Sequence, residues 1–470
     1  MTQSSTPTIA LDSLRSSGPL APPDLPVAER RAHGRTLRAQ TSRRSHAGWT
    51  PPADRPDPIT LLESEAVNRV PELVPIRYGR MLASPFAFLR GAAIVMAADL
   101  ATTPSTGIVV QLCGDAHLAN FGLYASPERR LLFDVNDFDQ TLPGPWEWDV
   151  KRLAASIMVA GRTYGIGEAA ARDAVHEAIH SYRARMAAFA SMGEQAVWYA
   201  RVRAATFVAD QSRTLIKRRA HAAIAKPRQH DHHQSLAKLT EVVNGRRRIV
   251  NNPPLIERVE TDDLATWVQT TLHAYRQTLQ DDRRHLLARY RFVDLAHKVV
   301  GVGSVGMRCY IVLLTGRDDD DPLFLQIKQA ERSVLEAHLP ASRYANHGQR
   351  VVAGQRLMQA ASDILLGWQR GSDGRDYYWR QLRDMKGGAN VAAMTASMLR
   401  SYAALCGWAL ARGHARSGDR VQIAAYLGRS DQFDRAIAAF ATAYADQTER
   451  DHAALVAAVR SGRVAAEIGI

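Results

Sequence analysis

The chain has 470 residues, 46% of them hydrophobic and 23% charged, which is long enough for more than one hydrophobic core. It holds no apolar run near the roughly 18 residues needed to cross a membrane, and its three cysteines lack disulfide or metal-ligand spacing, so a membrane span, a disulfide framework and a zinc ribbon are excluded. The net charge of +13 is concentrated in residues 1–56 and 201–250, which excludes a uniformly basic nucleic-acid coat.

The first 56 residues are predicted to form a disordered basic tail. They are rich in Ser, Pro, Ala and Arg, carry eight Arg against four acidic residues, and show no apolar periodicity. The beginning of the chain also lacks the apolar stretch and the cleavage site of a secretory signal, so we expect a cytoplasmic location.

Residues 57–296 are predicted to form a helical lobe that contains a few strands. Apolar residues recur at helical spacing from Ile59 to Leu100. Short β-branched runs separated by Gly, Asn and Asp then predict three strands within residues 107–139. Helices follow to about residue 220 and again over 261–290. Between them, Asn244-Gly245 is a preferred two-residue turn and predicts a hairpin.

Residues 297–386 are predicted to form a small β-rich lobe. Its strands alternate with Gly-rich and acidic turns, and a single helix is expected near residues 346–361. Beyond Gly388 the Ala-rich amphipathic pattern predicts helices to the end, so that residues 387–470 complete the helical lobe. The predicted fold class is α+β.

The sharpest local signal is a cluster of carboxylate and amide side chains at predicted strand ends. The segment Gly114-Asp115-Ala116-His117-Leu118-Ala119-Asn120 is followed by Asp134-Val135-Asn136-Asp137-Phe138-Asp139. Burying so many such groups is costly without compensating charge, which makes a cation such as Mg²⁺ their natural partner. A pair of acidic turns held by Asx hydrogen bonds is the alternative.

A second signal is the Gly-rich run Gly301-Val302-Gly303-Ser304-Val305-Gly306, followed later by Lys328. A dinucleotide-binding fingerprint requires a helix directly after the glycines, whereas the following MRCYIVLL predicts a strand. This favours a Gly-rich hairpin over nucleotide phosphates, with Lys328 on the next strand as the phosphate clamp. A lysine that extends to the sheet edge is the alternative for Lys328.

The first signal resembles the catalytic loop of the aminoglycoside and choline phosphotransferases, which belong to the protein-kinase-like superfamily. The resemblance implies that Asp115 positions or deprotonates an acceptor hydroxyl, with His117 as an assisting group. It also implies that Asn120 and Asp137 bind Mg²⁺, and it leaves Asp139 as a second metal ligand.

The same resemblance continues beyond the metal-binding segment. A Gly-Pro turn at Gly144-Pro145 and an Asp-hydrophobic pair at Asp149-Val150 follow Asp137, with Asp149 twelve residues after it. In the Gly-rich segment the resemblance implies that Gly301, Gly303, Ser304, Gly306 and Lys328 bind the ATP cofactor.

The order of the two signals departs from the kinase-like pattern. Kinase-like enzymes carry the Gly-rich loop and the lysine first, whereas here they follow the catalytic loop by roughly 190 residues. A circular permutation reconciles the order, and we expect a protein-kinase-like two-lobed fold, circularly permuted, with a hinge near Trp379–Leu382. The helix over Met398–Arg416 would then lead in space to the strand at 107–113. The acidic partner of Lys328 stays open, because Glu331 and Glu336 lie close to it and the helix at 346–361 has no Glu.

Most of the chain, from about Arg77 to Asp451, also closely resembles an uncharacterised bacterial family named domain of unknown function 2252. The segments that carry this resemblance include RYGRMLASPFAFLRG, GDAHLANFG, NDFDQTLPGPWEWDVKRLAAS, GQRLMQAASD and FATAYADQTERD. The family implies no function by itself.

The sequence therefore predicts an ATP- and Mg²⁺-dependent phosphotransferase that acts on a hydroxyl of a small-molecule acceptor, with Arg80, Arg90, Arg380 and Arg383 as candidate substrate contacts. One alternative is a nucleotide-binding pseudokinase-like protein without turnover. The other is a nucleic-acid binder, which is disfavoured because the basic segments 1–56 and 201–250 lack interleaved aromatic residues and a reader motif. Those segments suit an anionic substrate or partner.

Overall fold

The computed structural model describes residues 25–203, 232–259, 264–299, 301–382 and 386–469. These residues form a mixed α+β structure with several antiparallel sheets, which confirms the predicted fold class. Most of the basic segment 201–250 and the first 24 residues lie outside the described residues. None of the helices in the described ranges combines the length and the apolar character that a bilayer-spanning segment needs.

Helices make up most of the molecule outside one large sheet. The helices before residue 204 are α1 (Val27–Gln40), α2 (Pro58–Ala66), α3 (Val74–Leu82), α4 (Pro85–Gly91), α5 (Ala93–Leu100), α6 (Trp146–Thr163), α7 (Glu168–Phe189) and α8 (Glu194–Tyr199). The later helices are α9 (His232–Leu239), α10 (Leu264–Arg276), α11 (Asp281–Leu287), α12 (His347–Met358), α13 (Ala396–Ser417), α14 (Arg420–Leu427) and α15 (Gln432–Arg460). Helices α6, α7, α13 and α15 contribute to one apolar core, in which the rings of Trp146 and Tyr182 stack with centroids 5.7 Å apart.

The strands fall into one large sheet and three small ones. The strands before residue 250 are β1 (Val109–Leu112), β2 (Phe121–Ala125), β3 (Leu131–Val135), β4 (Leu142–Pro145), β5 (Val202–Arg203), β6 (Thr240–Val243) and β7 (Arg246–Ile249). The later strands are β8 (Ile256–Arg258), β9 (Arg291–Lys298), β10 (Cys309–Thr315), β11 (Pro322–Ala330), β12 (Gly367–Arg370), β13 (Asp376–Gln381) and β14 (Gly387–Gly388).

The six-stranded sheet is antiparallel and has the order β12-β13-β11-β10-β9-β8. All nine residues of β11 are buried, which agrees with its nearly continuous apolar sequence. In the register of the sheet, Lys328 lies opposite Tyr378 on β13 and opposite Cys309 on β10. The sheet thus begins at β8, before the boundary predicted at residue 297.

Two predicted turns have different outcomes. The hairpin at Asn244-Gly245 is confirmed, since β6 and β7 pair directly and both turn residues have positive φ, 52° and 74°, as a type I′ turn requires. The turn predicted at Gly144-Pro145 is wrong. These residues belong to β4, which pairs with β1, and a proline is tolerated there because within the described ranges the sheet consists of these two edge strands.

The disordered tail predicted for residues 1–56 is wrong where the structure describes it. Residues 27–40 form α1, which buries Leu37 and lies against α14. Arg30 forms an ion pair with Asp419 at 2.6 Å, and Arg38 donates to the carbonyl of Tyr426 in the last turn of α14. Because this ion-pair partner lies 389 positions away, no local pattern in the tail could reveal the helix.

The end of α13 lies beside β1. The hydroxyl of Ser417 accepts a hydrogen bond from the backbone N–H of Gln111 at 3.1 Å. A Cβ atom added to Gly418 would approach the carbonyl oxygen of Val109 to 2.8 Å. The chain therefore brings residues about 306 positions apart into backbone contact at this point.

Candidate functional site

A cleft lies between the six-stranded sheet and the helical region, and it has an empty volume of about 830 Å³ that is partly open to solvent. The two sequence signals meet in it. The predicted residues that line the cleft are Asp115, His117, Asn120, Asp137, Asp139, Gly301, Gly303, Ser304 and Lys328. Two predicted residues, Gly306 and the candidate substrate contact Arg80, are described by the structure but are not among the lining residues.

The loop after β1 is held in place by Asp149, in the first turn of α6. Its two carboxylate oxygens accept the backbone N–H groups of Cys113 and Gly114 at 2.8 and 3.0 Å. Gly114 has a φ of +85°, and an added Cβ would lie 2.2 Å from the carbonyl oxygen of Gln140, so only glycine fits here. These contacts fix the backbone that carries Asp115 into the cleft.

Asp115 sits between a cation and a histidine. Arg152 on α6 donates from Nε to its carboxylate at 2.8 Å, and Nε2 of His117 lies 3.6 Å from the other oxygen. Burial raises the pKa of Asp115 to about 6, while the charge of Arg152 acts in the opposite direction. The carboxylate is therefore ionised at neutral pH but more basic than an exposed one.

His117 is 4% exposed and is a neutral group. Burial, followed by the charges of Arg152 and Arg90, holds the pKa of His117 well below its ordinary value. Its Nδ1 atom is buried and has no hydrogen-bond partner among the described residues. A buried imidazole nitrogen without a partner is costly, which leaves it suited to a ligand in the cleft.

Asn120 and Asp137 both line the cleft. The side-chain amide of Asn120 donates to the carbonyl of Asp115 at 2.8 Å, which fixes the amide plane. Asp137 accepts the backbone N–H of Asp139 at 3.1 Å with one oxygen. Among the described residues there is no group of three or more His, Cys, Asp or Glu side chains that could hold a metal ion. A carboxylate and an amide fit Mg²⁺, which commonly takes its remaining ligands from water and phosphate.

Lys328 has a partner that the sequence analysis did not assign. Its ammonium group donates to Asp139, and the hydroxyl of Tyr378 donates to the other oxygen of Asp139 at 2.8 Å. Burial lowers the pKa of Lys328, but the charges of Asp137 and Asp139 outweigh it and raise that pKa. Asp139 therefore serves as the counter-ion of Lys328, and its predicted role as a second metal ligand stays a prediction.

The Gly-rich segment links β9 to β10 and is attached to the helical region. Arg69 donates to the carbonyl of Val305 at 2.5 Å, and the N–H of Val70 donates to the carbonyl of Gly306 at 2.8 Å. Gly306 has a φ of +85° and faces the Arg69 side chain, so its position is explained by the backbone turn. Gly301, Gly303 and Ser304 face the cleft instead.

Gln326 and Arg152 are polar residues at the cleft that the motifs did not reveal. Gln326 lines the cleft and accepts a hydrogen bond from the predicted residue Arg380 at 2.9 Å. Arg152, the partner of Asp115, comes three positions after Asp149 and so lies on the same face of α6, a spacing that could have revealed it. Arg90 and Arg380 were predicted as substrate contacts and line the cleft, whereas Arg383 lies outside the described residues.

Comparison with known proteins gives one match. A family model described as an uncharacterised protein conserved in bacteria, DUF2252, matches residues 69–458. No curated protein and no solved structure matches the chain.

Proposed function

The chain belongs to DUF2252, a family of uncharacterised proteins conserved in bacteria, and from this premise we propose that it is an ATP- and Mg²⁺-dependent phosphotransferase acting on a hydroxyl group of a small molecule. One observation carries the proposal. A single cleft gathers the catalytic-loop residues, the carboxylate and amide suited to Mg²⁺, the Gly-rich segment and a buried lysine, from two parts of the chain 189 positions apart.

In the proposed reaction the acceptor hydroxyl attacks the terminal phosphorus of ATP. A new O–P bond forms, the bond to the bridging oxygen breaks, ADP leaves and the hydroxyl proton passes to Asp115. The pKa of Asp115, raised to about 6 by burial, suits a carboxylate that orients the hydroxyl and takes its proton late. Asn120 and Asp137 would hold Mg²⁺, which neutralises phosphate charge when it is bound.

The environment of Lys328 supports its role as the phosphate clamp. The Gly-rich segment joins β9 to β10, and Lys328 lies on β11, the third strand counted from β9. The clamp lysine of protein kinases also lies on the third strand. Lys328 departs from the kinase pattern in its partner, because a carboxylate on the next helix is replaced by Asp139. The carboxylate still orients the ammonium towards the cleft.

The contact between α13 and β1 supports a circularly permuted kinase-like fold with two lobes. In the kinase-like order a long helix leads into the strand before the catalytic loop. Here Ser417, at the end of α13, bonds to Gln111 on that strand although the chain does not connect them. A rewired connection explains this proximity.

A second candidate function is nucleotide binding without turnover. The identity of the partner of Lys328 favours it, because active kinases pair this lysine with a carboxylate on the following helix, whereas here the partner is Asp139, two positions after the proposed Mg²⁺ ligand Asp137. Phosphate transfer and binding alone differ in one measurable respect, which is the consumption of ATP.

The test is a thermal-stability measurement with Mg²⁺ and a non-hydrolysable ATP analogue, followed by a metabolite screen with γ-labelled ATP. We expect a rise of several degrees in the melting temperature that requires Mg²⁺, which Asp137→Asn loses and the exposed-residue control Asp173→Asn retains. Transfer of label to a metabolite supports the phosphotransferase. Binding without any transfer supports the second candidate, and no response of the wild-type protein to the Mg²⁺ complex contradicts both.

A further inference from the structure

We propose that Arg90 forms a phosphate-binding subsite in the cleft and contacts the terminal phosphate group of the bound triphosphate. That the ligand is a triphosphate follows from the proposed function. The subsite itself is argued from the structure, and a free phosphate or a phosphate-bearing acceptor could also fill it.

Arg90 is a half-buried cation without an ion-pair partner. It lies near the end of α4, and its guanidinium group stands 6.0 Å from the ring centroid of Phe86. Within the described part of the chain no carboxylate forms an ion pair with it, and its buried Nε atom has no hydrogen-bond partner. Withdrawing a cation from water in this way is costly unless an anion compensates.

The other cations around the cleft already have partners. Lys328 is bound to Asp139, Arg152 to Asp115, and Arg380 to Gln326. The acidic residue Glu65, which also lines the cleft, is paired with Arg69 and Arg77 at 2.7 and 2.5 Å. Among the described lining residues, Arg90 is therefore the cation that has neither an ion pair nor a hydrogen bond, whereas Arg380 forms no ion pair but is held by Gln326.

The position of Arg90 matches the place where phosphate transfer would occur. Its carbonyl oxygen lies 3.3 Å from the point that a Cβ on Gly303 would take, so the backbone of Arg90 lies next to the Gly-rich segment. Arg90 and Asp115 line the same cleft, and the charge of Asp115 acts on Arg90. A group held between Gly303 and Asp115 is next to both the phosphate-covering loop and the candidate base.

The backbone connects Arg90 to the catalytic loop as well. The carbonyl of Leu89, the preceding residue, accepts a hydrogen bond from Arg152 at 2.6 Å, and Arg152 binds Asp115. His117 and Ser304 line the same cleft. The cleft thus holds Arg90 on an anchored backbone together with these two polar residues.

The chemistry of arginine suits this position. Its planar guanidinium group binds phosphate with two parallel hydrogen bonds. In phosphoryl transfer, an arginine aimed at the transferred group stabilises the charge that spreads over its three outer oxygens. Arg90 would supply that charge from within the same chain.

The experiment compares Arg90→Gln with wild type and with Arg185→Gln, a control that removes the same charge from an exposed position of α7. Dissociation constants are measured by calorimetry for Mg²⁺ with a non-hydrolysable ATP analogue, for Mg²⁺ with ADP, and for inorganic phosphate alone. For Arg90→Gln we expect binding of the ATP analogue to weaken about tenfold or more, as loss of charged hydrogen bonds implies, while ADP binding changes less than about twofold.

The three measurements separate the possible outcomes. If Arg90→Gln weakens binding of the ATP analogue alone, the terminal phosphate is supported as the ligand. If it weakens binding of inorganic phosphate alone, the subsite is supported and is assigned to a phosphate of the acceptor. Unchanged binding of both in Arg90→Gln overturns the proposal. If the wild type binds neither nucleotide, the proposed function fails, and the phosphate measurement still decides whether the subsite exists.

Discussion

The ammonium group of Lys328 donates a hydrogen bond to the carboxylate of Asp139, 189 positions earlier in the chain. Tyr378 on β13 donates to the same carboxylate, so two side chains of the sheet bond to the segment after β3. Arg350 on α12 adds a hydrogen bond to the backbone carbonyl of Asp139 at 2.8 Å. Asp139 therefore connects the sheet and helix α12 to the segment after β3.

Removal of Lys328 should destabilise the protein strongly. Lys328→Met leaves the buried carboxylate of Asp139 without its counter-ion, and we expect the free energy of unfolding to fall by about 3–5 kcal/mol. Denaturant titration measures this, with the exposed Lys238→Met as the control. The double variant Lys328→Met/Asp139→Asn should lose less free energy of unfolding than the sum of the losses in the two single variants. Losses that simply add would contradict a direct interaction.

The same pair predicts an effect of acid on stability. Burial would raise the pKa of Asp139, but Lys328 outweighs it and holds the pKa below the ordinary value of 3.8. Because the pKa of Asp139 is lower in the folded state, its ionisation stabilises the folded protein at pH values above the unfolded-state pKa. This contribution disappears as the pH falls through the folded-state pKa. The stability difference between wild type and Asp139→Asn should thus be constant near neutral pH and shrink below about pH 4.

Activity should decline in mild acid because of Asp115. With a pKa of about 6, protonation of the candidate base should lower kcat/KM about tenfold per pH unit below that value. Arg152→Gln removes a charge that lowers this pKa, so the acidic limb should move upward by about one pH unit. A pH–rate profile of the two proteins checks both statements. If the acidic limb of the Arg152→Gln profile does not move, another group titrates.

Gly114 should not tolerate a side chain. In Gly114→Ala the positive φ costs about 1–2 kcal/mol, and the new Cβ also meets the Gln140 carbonyl at 2.2 Å. Gly165→Ala is a matched control, since Gly165 has a φ of +69° with no atom within 4 Å of an added Cβ. Denaturant titration should show a clearly larger loss of stability for Gly114→Ala, and equal losses would contradict the close approach.

The sequence predicted most of the cleft because its residues lie in two short segments with strong local patterns. Asp115, Asn120 and Asp137 follow strands marked by β-branched runs, and Lys328 lies in a nearly continuous apolar run. Partners from distant segments were not predictable in this way. Asp139 was assigned to a metal because nothing in its own segment indicates a lysine 189 positions later.

The helix α1 was missed for a related physical reason. Its sequence, VAERRAHGRTLRAQ, has good helix formers but few apolar residues. Its docking depends on arginines that pair with Asp419 and with carbonyl groups at the end of α14. Such polar docking leaves no periodic apolar signal in the sequence, so composition alone suggested disorder.

Asp149 should control the geometry of the loop that carries Asp115 without binding a nucleotide itself. Its carboxylate accepts two backbone N–H groups, from Cys113 and Gly114, and His414 lies 3.3 Å from it. In Asp149→Asn one acceptor oxygen becomes a donor that faces a backbone N–H, so we expect a loss of about 1–3 kcal/mol in unfolding free energy.

In the same variant Asp115 would shift with the loop, and a small misplacement of a reacting group costs about 100-fold in rate. Binding of ADP measured without Mg²⁺ should change less than about threefold, because the Gly-rich segment and Lys328 do not depend on this loop, whereas the proposed metal ligand Asn120 does. Steady-state kinetics and calorimetry on the same preparation separate the two effects. Equal losses in binding and in rate would mean that Asp149 supports the whole cleft rather than the loop that carries Asp115.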